Sequence, residues 1–275
     1  MRHEPVVRSE GRGRRDLDSL VPATRPERIE KALATSADVV IVDLEDAVGP
    51  DQKSSARDHL RTLTPSRPCY LRINDVTSEY FKDDVAFLNA CAWANGVILS
   101  KVQSREQVAE LMGRLERDVA VEALVESAQG IIAADEIASS GVRRLILGSA
   151  DYSSELGVEP TEQLLAYPRS HLAVASAAAR IARPVDGPTL ELEDLARLES
   201  DTLAARRLGM GAKLCVHPRQ LPVVETVFGS GASQEEWARG VLAAFEASGG
   251  GVISLNGEMI DAPVAARART ILESR

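Results

Sequence analysis

Residues 39–46 read VVIVDLED, an apolar run that ends abruptly in carboxylates. Four consecutive β-branched residues are typical of a strand that is buried on both faces. Similar short runs, such as CYLRI at 69–73, alternate along the chain with longer segments of helical periodicity. About eight such β-α repeats over roughly 230 residues predict a (β/α)8 TIM barrel. The alternative, a doubly wound sheet, is disfavoured because no GxGxxG follows the first strand.

The bounds of the predicted elements follow from these runs. The predicted strands are 17–21, 39–44, 69–73, 96–100, 119–125, 143–147, 183–186 and 213–216. The predicted helices of the barrel are 26–35, 54–63, 78–93, 104–117, 128–139, 168–182, 193–208 and 219–228. The strand at 183–186 has the weakest pattern, because Pro184 cannot donate a ladder hydrogen bond.

The domain organisation has three predicted parts. Residues 1–16 are arginine-rich without aromatic or periodic residues, which predicts a flexible leader. Residues 17–229 form the barrel, and GSGAS at 229–233 marks a break. Residues 230–275 are expected to form a short lid or arm: a helix at 235–247, a hairpin around Asn256-Gly257, and a helix at 263–274.

Composition excludes several classes of protein. The chain has 275 residues, a net charge of −9, 44% hydrophobic residues, and three well-separated cysteines. These values argue against disorder, a disulfide framework and non-specific nucleic-acid binding. No apolar run reaches the roughly 20 residues of a membrane span. We therefore expect a cytoplasmic protein with no nucleic-acid partner and no membrane partner.

Charged residues follow most of the predicted strands. In a (β/α)8 barrel these positions face the site at the carboxyl ends of the strands. They are Arg25, Glu45, Asp46, Arg72, Lys101, Glu126, Asp151 and His217. Because buried charges must be paired or bound to a metal, packing alone does not explain the pattern.

Glu126 and Asp151 follow neighbouring strands and are the candidate metal ligands. Neighbouring parallel strands are about 4.8 Å apart, so both carboxylates can reach one hard cation. Two carboxylates with retained water suit Mg²⁺ better than zinc. The alternative is that each residue caps the helix that follows it.

Arg72 is the candidate ligand for a substrate carboxylate, because its planar fork matches that group. Alternatively it forms an ion pair with Glu45 or Asp46, while the other acid of DLEDA caps the next helix. Arg25, Lys53 and Lys101 are candidates for a basic rim that binds a phosphorylated substrate. A solvated side chain is the simpler expectation for Lys53, and a structural role for His217.

The ordered motifs resemble the citrate lyase beta-subunit-like family of the HpcH/HpaI aldolase superfamily, from about residue 17 onward. They are LVPATRPERIEKAL, ADVVIVDLEDAVGPDQKSSAR, LRIN, LSKVQS, LVESAQG, LGSADYSSELG, AKLCVHPRQ and GEMIDAPV. The resemblance implies an oligomeric barrel, a trimer or hexamer, that is a Mg²⁺-dependent carbon–carbon lyase. Its substrates would be CoA or acyl-carrier thioesters.

Residue roles carry over by motif. Glu126 and Asp151 would hold Mg²⁺, and Arg72 would bind the carboxylate of the 2-oxoacid. Glu45 would support Arg72 and the metal-bound waters. Arg25, Lys31 and Lys53 match positions near the phosphates of the thioester carrier. Asp261 resembles an acid/base group that is delivered into a neighbouring subunit's site.

The resemblance implies a retro-Claisen cleavage of a citryl-, malyl- or citramalyl-CoA type substrate. Ser100, Gln103, Asp75 and Ala150 depart from the family's usual residues, which leaves the oxoacid open. Three other functions stay open: a CoA-independent aldolase, a malyl-CoA thioesterase, and a non-catalytic scaffold subunit of a lyase complex.

Overall fold

The computed structural model describes residues 17–229 and 231–273, so the predicted leader at 1–16 lies outside it. Eight parallel strands close into a barrel in the order in which they occur along the chain. The strands are β1 (Leu17–Pro22), β2 (Val39–Asp43), β3 (Cys69–Ile73), β4 (Ala94–Leu99), β5 (Ala120–Val125), β6 (Arg144–Leu147), β7 (Val185–Asp186) and β8 (Ala212–Cys215). The predicted (β/α)8 barrel is confirmed, and the doubly wound alternative is wrong.

Helices follow the strands and cover the barrel. They are α1 (Pro26–Leu33), α2 (Lys53–Arg61), α3 (Phe81–Ala90), α4 (Arg105–Met112), α5 (Ala128–Ile132), α6 (Ala134–Ala138), α7 (Ser149–Leu156), α8 (Glu162–Ala178), α9 (Leu195–Arg207) and α10 (Leu221–Gly229). Short 3₁₀ turns at Pro50–Gln52 and Pro218–Gln220 precede α2 and α10. No described helix is long and apolar enough to cross a membrane.

Two apolar layers give the barrel its core. Inward-facing residues such as Ile41, Tyr70, Ile98 and Leu124 fill the barrel interior. Outward-facing strand residues pack against the helices in a second, larger cluster that includes Phe81. Successive strand side chains point to opposite sides, so nearly continuous apolar runs are what this architecture requires.

Several predicted bounds differ from the structure. The predicted helix at 168–182 begins earlier, because Thr161 accepts a hydrogen bond from the Leu164 N–H at 3.2 Å and starts α8. Pro168 lies inside this helix rather than at its start. The predicted helix at 128–139 is two short helices, and β7 has only two residues, consistent with Pro184. Helix α7 is absent from the helices whose bounds were predicted.

Contacts between residues divide the described chain into a barrel unit that ends at Phe228 and a C-terminal unit that begins at Gly229. The C-terminal unit contains α11 (Gly231–Ala247), β9 (Ile253–Leu255), β10 (Glu258–Ile260) and α12 (Ala262–Glu273). Its own apolar cluster includes Val241, Phe245 and Ile260. Asn256 and Gly257 both have positive φ, which is the type I′ geometry that the Asn-Gly pair predicted for this hairpin.

Candidate active site

A polar layer lies directly above the apolar interior, at the carboxyl ends of the strands. Because Ile41, Tyr70, Ile98 and Leu124 face inward, the residues two positions later face the same way. Those residues are Asp43, Arg72, Ser100 and Glu126. We call this set the barrel-mouth layer. The strand pattern therefore brings two carboxylates, a guanidinium and a hydroxyl to one end of the barrel.

Arg72 is held in the barrel-mouth layer by Asp43. Its Nε donates to Asp43 Oδ1 at 2.7 Å, and its Nη2 donates to Asp43 Oδ2 at 2.5 Å. Its Nη1 lies 3.1 Å from Glu45 Oε2, an ion pair without hydrogen-bond alignment. Burial alone would lower the pKa of Arg72, but Asp43 and Glu45 raise it above its ordinary value. The far edge of the guanidinium, with Nη1, keeps N–H groups for a ligand.

The expected ion-pair partners of Arg72 were therefore only partly right. Glu45 is one partner, but Asp43, which the sequence analysis did not select, is the bidentate one. The expectation that an acid of DLEDA caps the next helix is wrong. Asp43 accepts from the backbone N–H groups of Glu45 and Ala47 instead, at 2.8 and 3.1 Å. One carboxylate thus orders both the guanidinium and the loop after β2.

Lys101 forms hydrogen bonds at the mouth of the barrel through both its backbone and its side chain. Its Nζ donates to Glu45 Oε1 and to Asp46 Oδ1, the latter at 3.2 Å. Its backbone N–H donates to Glu126 Oε1 at 2.8 Å, in a left-handed conformation with φ of 53°. Left-handed backbone at a residue other than glycine costs energy and is concentrated at functional sites. This strained turn holds the Glu126 carboxylate.

Glu126 is a buried carboxylate in a negative environment. Burial, together with the nearby charges of Asp151 and Glu45, raises the pKa of Glu126 to about 8. Gly148 makes space for it, because a Cβ at position 148 would lie 2.3 Å from Glu126 Cβ and 2.5 Å from Oε2. Position 148 therefore admits only glycine while Glu126 keeps this conformation.

Asp151 lies in the first turn of α7, three residues beyond Gly148. The alternative that Glu126 and Asp151 cap helices is wrong. Ser127 caps α5 through its hydroxyl, which accepts from the Gly130 N–H at 3.1 Å, and Gly148 occupies the cap position of α7. Neither carboxylate is therefore used as a helix cap.

The charges at this end of the barrel leave a surplus of negative charge. The cations Arg72, Lys101 and Lys53 interact with Asp43, Glu45 and Asp46, and the carboxylates of Glu126 and Asp151 add two further negative charges. A divalent cation would relieve the repulsion that raises the pKa of Glu126. Within residues 17–229 and 231–273, no three His, Cys, Asp or Glu side chains converge as ligands. Two carboxylates completed by water or substrate are a donor set that fits Mg²⁺.

Lys53 supports the site by holding the backbone of the loop after β2. The expectation of a solvated Lys53 side chain is wrong. Lys53 is buried, and its Nζ donates to Leu44 O, Glu45 O and Asn74 Oδ1, each at 2.8 Å. Burial lowers the pKa of Lys53, and the carboxylate of Asp84 partly offsets this effect. Because these bonds use every Nζ donor, none is left for a phosphate, and Lys53 positions the backbone at Glu45.

The remaining predicted residues lie at separate places. Arg25 precedes α1 with an exposed side chain 4.0 Å from Glu27, and Lys31 is exposed on α1. His217 Nδ1 accepts from the Arg219 N–H at 3.2 Å, a structural role. Asp261 belongs to the C-terminal unit, where its Oδ1 accepts from the Val264 N–H at 3.0 Å.

Two features of the candidate site were not apparent in the sequence. Asn74 links Lys53 to Asp84, with its Nδ2 2.6 Å from Asp84 Oδ2. Ser100 is buried in the barrel-mouth layer, and its hydroxyl has no hydrogen-bond partner among the described residues. The position of Ser100 after an apolar strand was a signal for the mouth, but not for an unpaired hydroxyl.

Comparisons of the sequence with known proteins identify the family and its relatives. Residues 20–218 match the HpcH/HpaI aldolase/citrate lyase family model. A citrate lyase subunit beta-like protein of Mycobacterium tuberculosis is 37% identical over 262 residues, which cover 91% of this chain and 92% of that protein. A (3S)-malyl-CoA thioesterase of Cereibacter sphaeroides is 32% identical over 251 residues, covering 88% and 87% of the two chains.

Solved structures are similar as well. Protein CitE from Mycobacterium tuberculosis, in complex with magnesium, acetoacetate and coenzyme A, has a TM-score of 0.81 and 34% identity, covering 94% of this chain and 97% of that one. The citrate lyase beta subunit from the same organism, complexed with oxaloacetate and magnesium, has a TM-score of 0.68 and 33% identity, covering 78% and 96%. The chain therefore belongs to the HpcH/HpaI aldolase/citrate lyase family of lyases.

Proposed function

We propose that the chain is a Mg²⁺-dependent carbon–carbon lyase that acts on a 3-hydroxyacyl-CoA of the citryl-, malyl- or citramalyl-CoA type. Its products would be an acyl-CoA, of the acetyl-CoA type, and a 2-oxoacid. The observation that carries the proposal is the meeting of Arg72, with a guanidinium edge that Asp43 does not occupy, and the carboxylates of Glu126 and Asp151 at one end of the barrel. Similar structures hold magnesium with acetoacetate and coenzyme A, or with oxaloacetate.

Arg72 would orient the substrate. Asp43 occupies the edge formed by Nε and Nη2, so the guanidinium cannot rotate and its outer N–H groups point in a fixed direction. A carboxylate of the substrate would accept from these N–H groups in the geometry that a guanidinium favours. Fixing the reacting bond in one orientation is a large part of what such a site contributes to catalysis.

Glu126 and Asp151 would hold the Mg²⁺, and Glu45 would support Arg72 and water at the metal. When bound, Mg²⁺ would draw electron density from the hydroxyl oxygen of the substrate and from the oxygen of the 2-oxoacid that forms. Lys101 holds Glu126 through its backbone N–H, and holds Glu45 through Nζ. Contacts within the chain thus hold Arg72, Glu45 and Glu126 before any substrate binds.

The proposed reaction is a retro-Claisen cleavage. The substrate hydroxyl gives its proton to a base at the site, a carboxylate or water, the bond between its carbon and the thioester's α-carbon breaks, and the hydroxyl carbon becomes the carbonyl of the 2-oxoacid. The electron pair of the broken bond forms the thioester enolate. Protonation of the enolate carbon completes the acyl-CoA.

Asp261 would supply this last proton, and the C-terminal unit would act as the lid that carries it. This assignment rests on the family motif GEMIDAPV at 257–264. In the family's arrangement the lid serves a neighbouring subunit, so the proposal includes a homo-oligomer, a trimer or hexamer. A closed lid would keep water from the enolate. Arg25 and Lys101 would contribute positive charge for the CoA phosphates or the oxoacid.

The test is a panel of citryl-, malyl- and citramalyl-CoA assayed with and without Mg²⁺, with the 2-oxoacid and the acyl-CoA measured separately. We expect equal amounts of both products, with Mg²⁺, for at least one substrate. We expect Glu126→Gln to abolish turnover and to weaken Mg²⁺ binding measured by calorimetry. If no substrate is cleaved, or if Glu126→Gln binds Mg²⁺ like the wild type, the proposal is wrong.

A second candidate is a malyl-CoA thioesterase, which the similarity to proteins of that name favours. Hydrolysis of malyl-CoA would release free malate and free CoA thiol, whereas cleavage would release glyoxylate and acetyl-CoA. A thiol reagent added to the same assay distinguishes them. Release of thiol in step with malate, without glyoxylate, would replace the lyase with the thioesterase.

A further inference from the structure

A cavity of about 300 Å³ lies in the barrel unit between α7, α8 and the loop that follows β7. Val158, Pro160, Leu165, Pro188 and Leu190 form its apolar wall. Of the carboxylates and cations described above at the barrel mouth, none lines it. The cavity is therefore a separate feature of the barrel unit.

Helix α7 borders the cavity and also carries Asp151, one of the two candidate metal ligands. Ser149, Ala150, Ser153 and Ser154 line the cavity from one side of this helix. At 3.6 residues per turn, the side chain of Asp151 projects from a different side. The two features thus share one short helix and use different faces of it.

Two of the cations that line the cavity are almost fully buried. Arg169 is 3% exposed and Lys213 is 1% exposed, and both line the cavity. Arg169 donates through Nε and Nη2 to the two oxygens of Asp186, at 2.8 and 3.0 Å. Lys213 Nζ donates to Asp186 Oδ2 at 2.8 Å and to Gly187 O at 2.7 Å. Among the described residues, one carboxylate therefore serves two buried cations.

Together, Arg169, Lys213 and Asp186 carry a net charge of one positive unit. The Nη1 of Arg169 and the third N–H of Lys213 make no hydrogen bond within the described part of the chain. A buried cation without a full complement of acceptors is costly. The other charges at the cavity do not supply the missing acceptor: Arg197 and Asp201 pair with each other at 3.3 Å, and Glu159 and Glu191 are exposed.

We propose that this cavity binds a small organic monocarboxylate that has a short apolar tail. The carboxylate would accept from Arg169 and Lys213, which would balance two positive charges with two negative ones. The tail would pack on the apolar wall, next to Leu165 and Pro188. The volume is at the small end of the range for ligand sites, which matches a short-chain acid and excludes a CoA thioester. The inference does not rest on the proposed lyase activity.

The experiment is calorimetric binding of isovalerate to the full chain in a buffer without Mg²⁺. We expect saturable binding with a Kd on the order of 1 mM. The neutral isostere isovaleramide should bind at least about tenfold more weakly, because it removes the charge that the cations require. Binding to the Arg72→Ala variant should equal that to the wild type, because Arg72 does not line the cavity.

Two matched variants place the site. Val158 lines the cavity and is 51% exposed, so Val158→Trp fills the cavity without disturbing the core. Val174, 64% exposed on α8, does not line it, and Val174→Trp is the control. We expect Val158→Trp to weaken isovalerate binding at least about tenfold and Val174→Trp to leave it unchanged. No saturable binding up to about 50 mM, equal binding of the amide, or loss of binding in Arg72→Ala would overturn the proposal.

Discussion

Asp43 and Arg72 are register partners on neighbouring parallel strands, and their side chains form a bidentate ion pair inside the barrel. The side chain of Asp43 is completely buried, and the side chain of Arg72 is 13% exposed. The pairing uses one edge of the guanidinium and leaves the other for a ligand. Asp43 therefore acts as a positioning residue for Arg72.

Removal of this carboxylate should destabilise the protein. We expect Asp43→Ala to lower the free energy of unfolding by about 3–5 kcal/mol, because it leaves the Arg72 charge buried without its main partner. Glu110→Ala is the control, since Glu110 forms an exposed pair with Arg114 at 3.0 Å and should cost less than about 0.5 kcal/mol. Urea denaturation measures both. Equal losses of unfolding free energy in the two variants would contradict the prediction that the buried pair contributes more to stability than the exposed pair.

Gly148 should be required for the geometry of Glu126. In Gly148→Ala the new methyl group would overlap Glu126 Cβ as well as its carboxylate, so a movement of the carboxylate alone cannot relieve it. We expect Mg²⁺ affinity to fall by about 10–100-fold, as for other losses of ligand orientation. Gly49→Ala is the control, because its nearest neighbour would be 3.8 Å away. Calorimetric Mg²⁺ titration of the folded variants decides, and unchanged affinity in Gly148→Ala would contradict the prediction.

Lys53 and Arg25 should separate into a structural and a binding residue. Lys53→Met leaves three buried acceptors without their donor, and we expect a loss of about 3 kcal/mol or more in unfolding free energy. Arg25→Ala changes an exposed side chain, so stability should stay within about 0.5 kcal/mol. With a thioester substrate, Arg25→Ala should raise KM and leave kcat similar. A higher KM in Lys53→Met, with the stability of the wild type, would show instead that Lys53 belongs to the basic rim that binds the substrate.

The cysteine thiols should be unreactive in the folded protein. Burial raises the pKa of Cys69 and Cys215 to about 12 and that of Cys91 to about 11. The thiolate is the reactive form, so at pH 8 each folded thiol is protonated and also shielded. We expect no thiol to react with a thiol reagent before denaturant is added and all three to react afterwards. Rapid reaction of the native protein would contradict this.

The sequence predicted the barrel because its strands are buried on both faces, which leaves an apolar run that is easily distinguished from amphipathic helices. It also predicted which residues stand at the strand ends. It did not predict their partners, because pairing depends on register. Asp43 fell within the predicted strand at 39–44, and only the alignment of β2 with β3 places it beside Arg72. Lys53 was misjudged for the same reason, since its acceptors include Asn74, 21 residues away.

Helix α7 connects the cavity to the proposed metal site, so binding at one place can affect the other. Asp151 projects from one face of the helix, and the cavity with Arg169 and Lys213 borders another. A shift of this helix changes both places at once. If acid in the cavity tightens metal binding by some factor, thermodynamic linkage requires the metal to tighten acid binding by the same factor. One two-turn helix would then make the concentration of a small acid a control on the occupancy of the metal site.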